Sequence, residues 1–151
     1  MGINRSISAL QPALQAAVQA FIAECNSRGI NILIIETDRS QLVQTAYYAQ
    51  GRLPLDEVNS LRKLSGLYLL KERENVKCTD AKISTHTGGN AVDMCPEIPG
   101  KPGFPNWTAP QQEWEEIGAL AESYWLDWCA GGYGQVWGKG WDNPHFELMK
   151  V

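Results

Sequence analysis

The chain holds two histidines, and each stands in a short segment with other groups that bind cations. The first segment is Ser84-Thr85-His86-Thr87-Gly88-Gly89-Asn90-Ala91-Val92-Asp93, and the second is Asp142-Asn143-Pro144-His145-Phe146-Glu147. A catalytic zinc ion takes three protein ligands from His, Asp, Glu or Cys and keeps its fourth position for water. Two imidazoles and one carboxylate meet that need, so His86, Asp93 and His145 are the candidate ligands of one Zn2+. His86 and Asp93 lie seven positions apart, which is not the spacing of one helix face. A loop turning at Gly88 and Gly89 and entering a strand at Ala91 would instead aim both side chains at one point, with His145 arriving from a neighbouring strand. Zinc lowers the pKa of bound water to about 7, and a nearby carboxylate can then take its proton as the water attacks a carbonyl. Asp142, three residues before His145, is the candidate base. The competing readings are a turn cap for Asp93 and the initiator of an Asn-Pro turn for Asp142.

The elements that must position these groups follow from hydropathy and punctuation. Leu10, Leu14, Val18, Phe21, Ile22 and Cys25 recur at helical spacing, with Ser8 as the expected cap, Pro12 in the first turn and Gly29 as the stop. A buried strand is expected over Ile30 to Ile35, a second helix over Ser40 to Gln50, and a third over Asp56 to Leu70. Beyond Lys77, glycine, proline, threonine and asparagine become frequent. Ala91 to Cys95 reads as a strand, Pro96 to Pro110 as a loop, Gln111 to Tyr124 as a helix, and His145 to Met149 as a closing strand. Helices in the first half and strands with long loops in the second predict an α+β fold around a small, mostly antiparallel sheet flanked by helices.

Composition narrows the function further. The chain has 151 residues, suited to a single catalytic domain over 1–151. Its net charge of -4, without a basic stripe, argues against binding nucleic acid through phosphates. The four cysteines form no C-x-x-C pair, and we read them as mostly buried thiols. No apolar run is long enough to span a membrane or to serve as a signal peptide, so we expect synthesis in the cytoplasm and no stable membrane insertion.

The pattern S-x-H-x-x-G-x-A-x-D, met by Ser84, His86, Gly89, Ala91 and Asp93, followed by D-x-x-H at Asp142 and His145, resembles the LAS-type zinc metallopeptidases, the VanY-like D-Ala-D-Ala carboxypeptidase superfamily. Thr37-Asp38-Arg39-Ser40 with Gln44 resembles that family's R-S-x-x-x-Q segment, and Trp114 to Trp137 resembles its helix and W-G-rich approach to the last motif. The resemblance covers about Ile30 to Val151. It implies a Hedgehog/DD-peptidase-like fold, zinc on His86, Asp93 and His145, Asp142 as base, and Arg39 as a residue that binds substrate or stabilises the oxyanion. It also implies a peptidoglycan peptide stem as substrate. Aspartate at the base position is similar to the L-alanyl-D-glutamate endopeptidases, whereas glutamate is the pattern of D,D-peptidases. The resemblance implies action on the L-Ala–D-Glu bond at the bacterial cell wall; with no signal peptide and no separate cell-wall-binding domain expected, the context fits a phage or prophage endolysin, which we expect to be a monomer. The alternatives are a D-alanyl-D-alanine carboxypeptidase and an inactive zinc-binding module.

Three residues carry two readings each. Arg39 could hold a substrate oxygen bidentately, or pair with Glu36 or Asp38. Ser84 could bind substrate or fix its own loop. Glu147 shares the strand face of His145, so it could orient a ligand or be a surface charge. Cys95 falls on the face of Asp93 but outside the motif and is not assigned as a ligand.

Overall fold

The computed structural model describes residues 2–128 and 143–149. Among the described residues, four α-helices and four strands run in the order α1 (Pro12–Ser27), β1 (Ile32–Glu36), α2 (Gln41–Ala49), α3 (Leu55–Leu64), β2 (Ala91–Pro96), α4 (Gln111–Glu122), β3 (Leu126–Trp128) and β4 (His145–Leu148). The strands form one antiparallel sheet in the order β1-β2-β4-β3. This is the α+β architecture expected.

Helix α1 follows its sequence closely. Pro12 occupies the first turn, where its missing N–H costs nothing. The stop at Gly29 works because φ there is +79°, letting Gly29 N–H reach Asn26 O and Ile30 N–H reach Cys25 O. The start differs from expectation: Ser8 sits inside a 3-10 turn (Ile7–Ala9), and Gln11 is the N-cap residue. Leu14, Val18, Phe21 and Cys25 lie on the buried stripe. They meet Val92 and Met94 of β2, Phe146 of β4, and Trp114, Ile117 and Ala121 of α4 in the principal core. Phe21 and Phe146 contact ring to ring, 5.9 Å between centroids.

Helix α2 begins where Ser40 accepts a hydrogen bond from Val43 N–H at 3.2 Å. Helix α3 is shorter than predicted. It stops at Leu64, not Leu70, because Gly66 takes φ +75° and Leu67 N–H turns back to Arg62 O. Strand β3 is absent from the sequence-based expectation. Its three residues follow Trp125, whose φ of +66° is unusual for a residue with a side chain. Trp128 anchors it against α4, where a Cβ at Gly118 would come within 2.3 Å of the indole.

Among the described residues, Cys25, Cys78 and Cys95 are unpaired, with Cys25 and Cys95 buried and Cys78 exposed. Cys129 lies outside them. No helix of the described residues is long and apolar enough to cross a membrane.

Candidate metal centre

Side-chain alternation divides the central strands. Val92, Met94 and Phe146 face the helical core, so Asp93, His145 and Glu147 face the other way. The β2–β4 register sets Asp93 directly opposite His145. Residues so paired in antiparallel strands share a face with their Cβ atoms about 5 Å apart. His86 comes from the loop before β2. Its backbone N–H donates to Ser84 Oγ at 3.1 Å, its carbonyl accepts from Arg39 N–H at 3.1 Å, and Gly88 N–H donates to Asp38 Oδ1 at 2.9 Å.

The two glycines of the loop are required. Gly88 and Gly89 have φ of +86° and +77°. Gly89 also lies against the chain leading into α1, where a Cβ would sit 2.3 Å from Ala9 O. Gly100 also has positive φ, +75°, but a Cβ there would meet nothing within 4 Å. We therefore expect Gly89→Ala to cost about 2 kcal/mol or more, a melting temperature lower by about 4–8 °C. Gly100→Ala, carrying backbone strain alone, should cost less. Equal melting temperatures for the two variants would discount the contact with Ala9.

The ligand atoms of His86, Asp93 and His145 all lie within 4.8 Å of one another. His86 Nε2 is 3.2 Å and His145 Nδ1 3.4 Å from Asp93 Oδ1. Ligands held tetrahedrally at about 2.0–2.1 Å from zinc are separated by about 3.3 Å, so both distances suit one shared ion. The two imidazoles meet edge to face, 5.1 Å between centroids at 78°.

The protons of the two rings are placed by their outer partners. His86 Nδ1 lies 3.0 Å from Thr37 O, and a carbonyl oxygen can only accept, so the proton sits on Nδ1. His145 Nε2 lies 2.8 Å from Glu147 Oε2, whose carboxylate likewise accepts. In the neutral rings, the lone pairs of His86 Nε2 and His145 Nδ1 then both face Asp93 Oδ1. That oxygen is buried and takes no hydrogen bond among the described residues. Three electron-rich atoms gathered without a proton between them repel one another unless a cation sits among them. The donor set fits zinc.

Glu147 is buried and bonds the ligand ring, so it orients His145 and is no surface charge. Glu147→Gln should weaken zinc binding by about 10- to 100-fold, read by competition against a chromophoric chelator. Unchanged affinity would make the contact a packing detail.

Arg39 is held from two sides. Its Nε and Nη2 donate to Glu36 Oε1, and its Nη1 donates to Gln44 Oε1 at 2.9 Å. Its guanidinium carbon stands 5.1 Å from the centre of the Tyr47 ring. Desolvation works against the charge of Arg39, yet the hydrogen bonds and the charge of Glu36 raise its pKa above the ordinary value. Ser84 Oγ accepts from His86 N–H, a bond within the loop that leaves the hydroxyl proton for a second partner. Asp142 lies outside the described residues. Its neighbours are tied down: Asn143 exchanges hydrogen bonds with Gln111 and accepts from Trp128 Nε1 at 2.5 Å, and Pro144 O accepts from Met94 N–H at 2.8 Å.

No protein-family model matches the sequence, and no curated protein matches it. Solved structures do. The L-Ala D-Glu endopeptidase ChiX of Serratia marcescens superposes with a TM-score of 0.55 at 16% identity, covering 99% of this chain and 90% of that one. The vancomycin-resistance D,D-pentapeptidase VanY, solved with Zn(II), gives 0.53 at 10% identity over 94% and 74%. The LD-carboxypeptidase LdcB gives 0.52 at 12% identity over 93% and 59%. The chain shares the fold of these three peptidases.

Within this fold, His86, Asp93 and His145 come together as the two motifs predict. Cys95 stays out of the cluster, buried in the core with its Sγ donating to Pro96 O. Sequence reading missed the outer partner of His86. Thr37 acts through its backbone carbonyl, and no side-chain type signals that role. It also left Glu36 only as a rival partner for Arg39. The signal available was a carboxylate ending an apolar strand, Ile32 to Glu36, where a charge needs a partner to be buried.

Proposed function

We propose that this chain is a zinc metallopeptidase that cuts the peptide stems of peptidoglycan, at the L-Ala–D-Glu bond. The observation that carries the metal reading is the convergence of His86 Nε2, His145 Nδ1 and Asp93 Oδ1, with the ring protons engaged elsewhere by Thr37 O and Glu147. Three ligands leave the fourth position of a tetrahedral ion for water, the arrangement of hydrolytic and not structural zinc. When bound, zinc acidifies its water and polarises the carbonyl to be attacked. Asp142 takes the proton from the attacking water and passes it to the leaving amine. Arg39 holds an anionic oxygen of the substrate or of the tetrahedral adduct.

The likeness to ChiX, an L-Ala D-Glu endopeptidase, supports the choice of bond, as does aspartate in the base position of the second motif. The VanY and LdcB likenesses, to a D,D-pentapeptidase and an LD-carboxypeptidase, favour the rival reading of a carboxypeptidase. We further propose that the enzyme is made in the cytoplasm and serves a phage or prophage as an endolysin.

Elemental analysis of the purified protein should give one zinc per chain. Mass spectrometry of digested muropeptides then separates the enzymatic readings. New amino termini in mid-stem identify the endopeptidase, and released D-alanine the carboxypeptidase. Stoichiometric zinc without turnover on any wall would leave a binding module.

A further inference from the structure

Strand β1 contains an irregularity that changes what its last residue faces. Ile34 pairs with Met94 on the core side, and strict alternation would put Glu36 on that side too. The register shifts between Ile34 and Glu36, so Glu36 pairs with Asp93. A bulge of this kind re-aims a side chain. Glu36, Asp93 and His145 thereby stand side by side across three strands, on the face of the metal cluster.

Glu36 is 6% exposed and Gln44 1%. Together they take three of the five guanidinium N–H groups of Arg39, through Nε, Nη1 and Nη2. Gln44 is itself fixed by donating from Nε2 to Ala81 O at 2.7 Å, in the chain leading to His86. Glu36 Oε2 is buried with no hydrogen bond among the described residues. A buried ion pair serving stability alone gains little over apolar packing, and it satisfies both oxygens where it can. Here Oε1 carries the Arg39 contacts and Oε2 carries none among the described residues.

We infer that Glu36 and Gln44 are positioning residues: they lock the Arg39 guanidinium beside the metal cluster so that its two remaining N–H groups meet an anionic substrate oxygen. The inference rests on the peptidase reading above. An arginine side chain that has already lost its rotamer freedom gives up less on binding, and its donors need no rearrangement as charge develops. The two buried acceptors act on the reaction only through Arg39.

The test is a double-mutant cycle in kcat/KM on muropeptides, with zinc content and melting temperature recorded for every variant. Glu36→Gln keeps an acceptor but loses the charge. It should lower kcat/KM by up to about 100-fold while zinc stays at the wild-type level. Arg39→Ala should lower it at least as far. In the Arg39→Ala background, Glu36→Gln should cost nothing more. A rise in KM alone would assign the oxygen to a substrate carboxylate, and a fall in kcat to the transition state; both support the inference. Equal losses from Glu36→Gln in the two backgrounds would overturn it, since a structural role does not depend on Arg39. Should Glu36→Gln not fold, Gln44→Leu enters the same cycle with the same expectations. Wild-type protein without turnover would overturn the peptidase reading itself, whereas turnover with additive effects overturns this inference alone.

Discussion

Alanine at His86 is expected to leave the purified protein with little zinc and no measurable turnover. His86 supplies one of three ligand atoms, and its ring is fixed by Thr37 O at 3.0 Å before any ion arrives. Losing an outer partner of a metal ligand already costs about 10- to 100-fold in affinity, and losing the ligand itself costs more. Two ligands would remain, His145 and Asp93, too few for a hydrolytic zinc site. His86 is buried, at 3% exposure, so the variant also leaves a small cavity. A thermal melt in the presence of chelator separates the two effects. If metal loss dominates, wild type and His86→Ala should melt close together once zinc is stripped. Normal zinc occupancy in the variant would falsify the ligand assignment.

The second large effect is expected at Asp142. Asparagine keeps the size of the side chain but cannot accept a proton. Asp142→Asn should therefore retain one zinc per chain and lose about 10²- to 10⁴-fold in kcat, the span attributed to a positioned acid-base group. The neighbouring described residues have hydrogen bonds of their own. Gln111 bonds Asn143, Trp128 Nε1 donates to Asn143 O, and Met94 N–H donates to Pro144 O. The substitution should thus leave His145 in place. A variant that keeps most of its turnover would show that another group takes the proton. A variant that loses zinc would move Asp142 into the structural support of the ligand. The contrast with His86→Ala matters most: one variant is empty and inactive, the other loaded and inactive.

Much of this site was legible in one dimension because zinc chemistry is demanding of residue type. With two histidines in the chain, each beside a carboxylate, few ligand sets were possible, and His86, Asp93 and His145 do come together. Helices α1, α2 and α4 were legible for a related reason. Their apolar residues recur at helical spacing, and Gly29 and Ser40 mark a stop and a start with groups that meet specific backbone needs. The errors fell where local signals compete. The apolar residues beyond Leu64 suggested a longer α3, but Gly66 and the turned-back Leu67 N–H end it. Strand β3 is too short to carry a period, and its entry through a left-handed Trp125 contradicts the preference of that residue type.

Residue types and short spacings were enough to say which atoms could hold a cation, that the chain must turn at glycines between His86 and Asp93, and that apolar stripes would build helices over a small sheet. These are local properties, and they hold without knowledge of the fold. How the types combine rests on long-range contacts. The pairing of Asp93 with His145 is a register between two strands far apart along the chain. The protons of both imidazoles are placed by Thr37 O and Glu147. The contact of Arg39 with Glu36 goes with one shift in the β1–β2 ladder, which sets Glu36 opposite Asp93. Such facts depend on which distant groups become neighbours, and a change of one residue in register would turn each side chain to the opposite face.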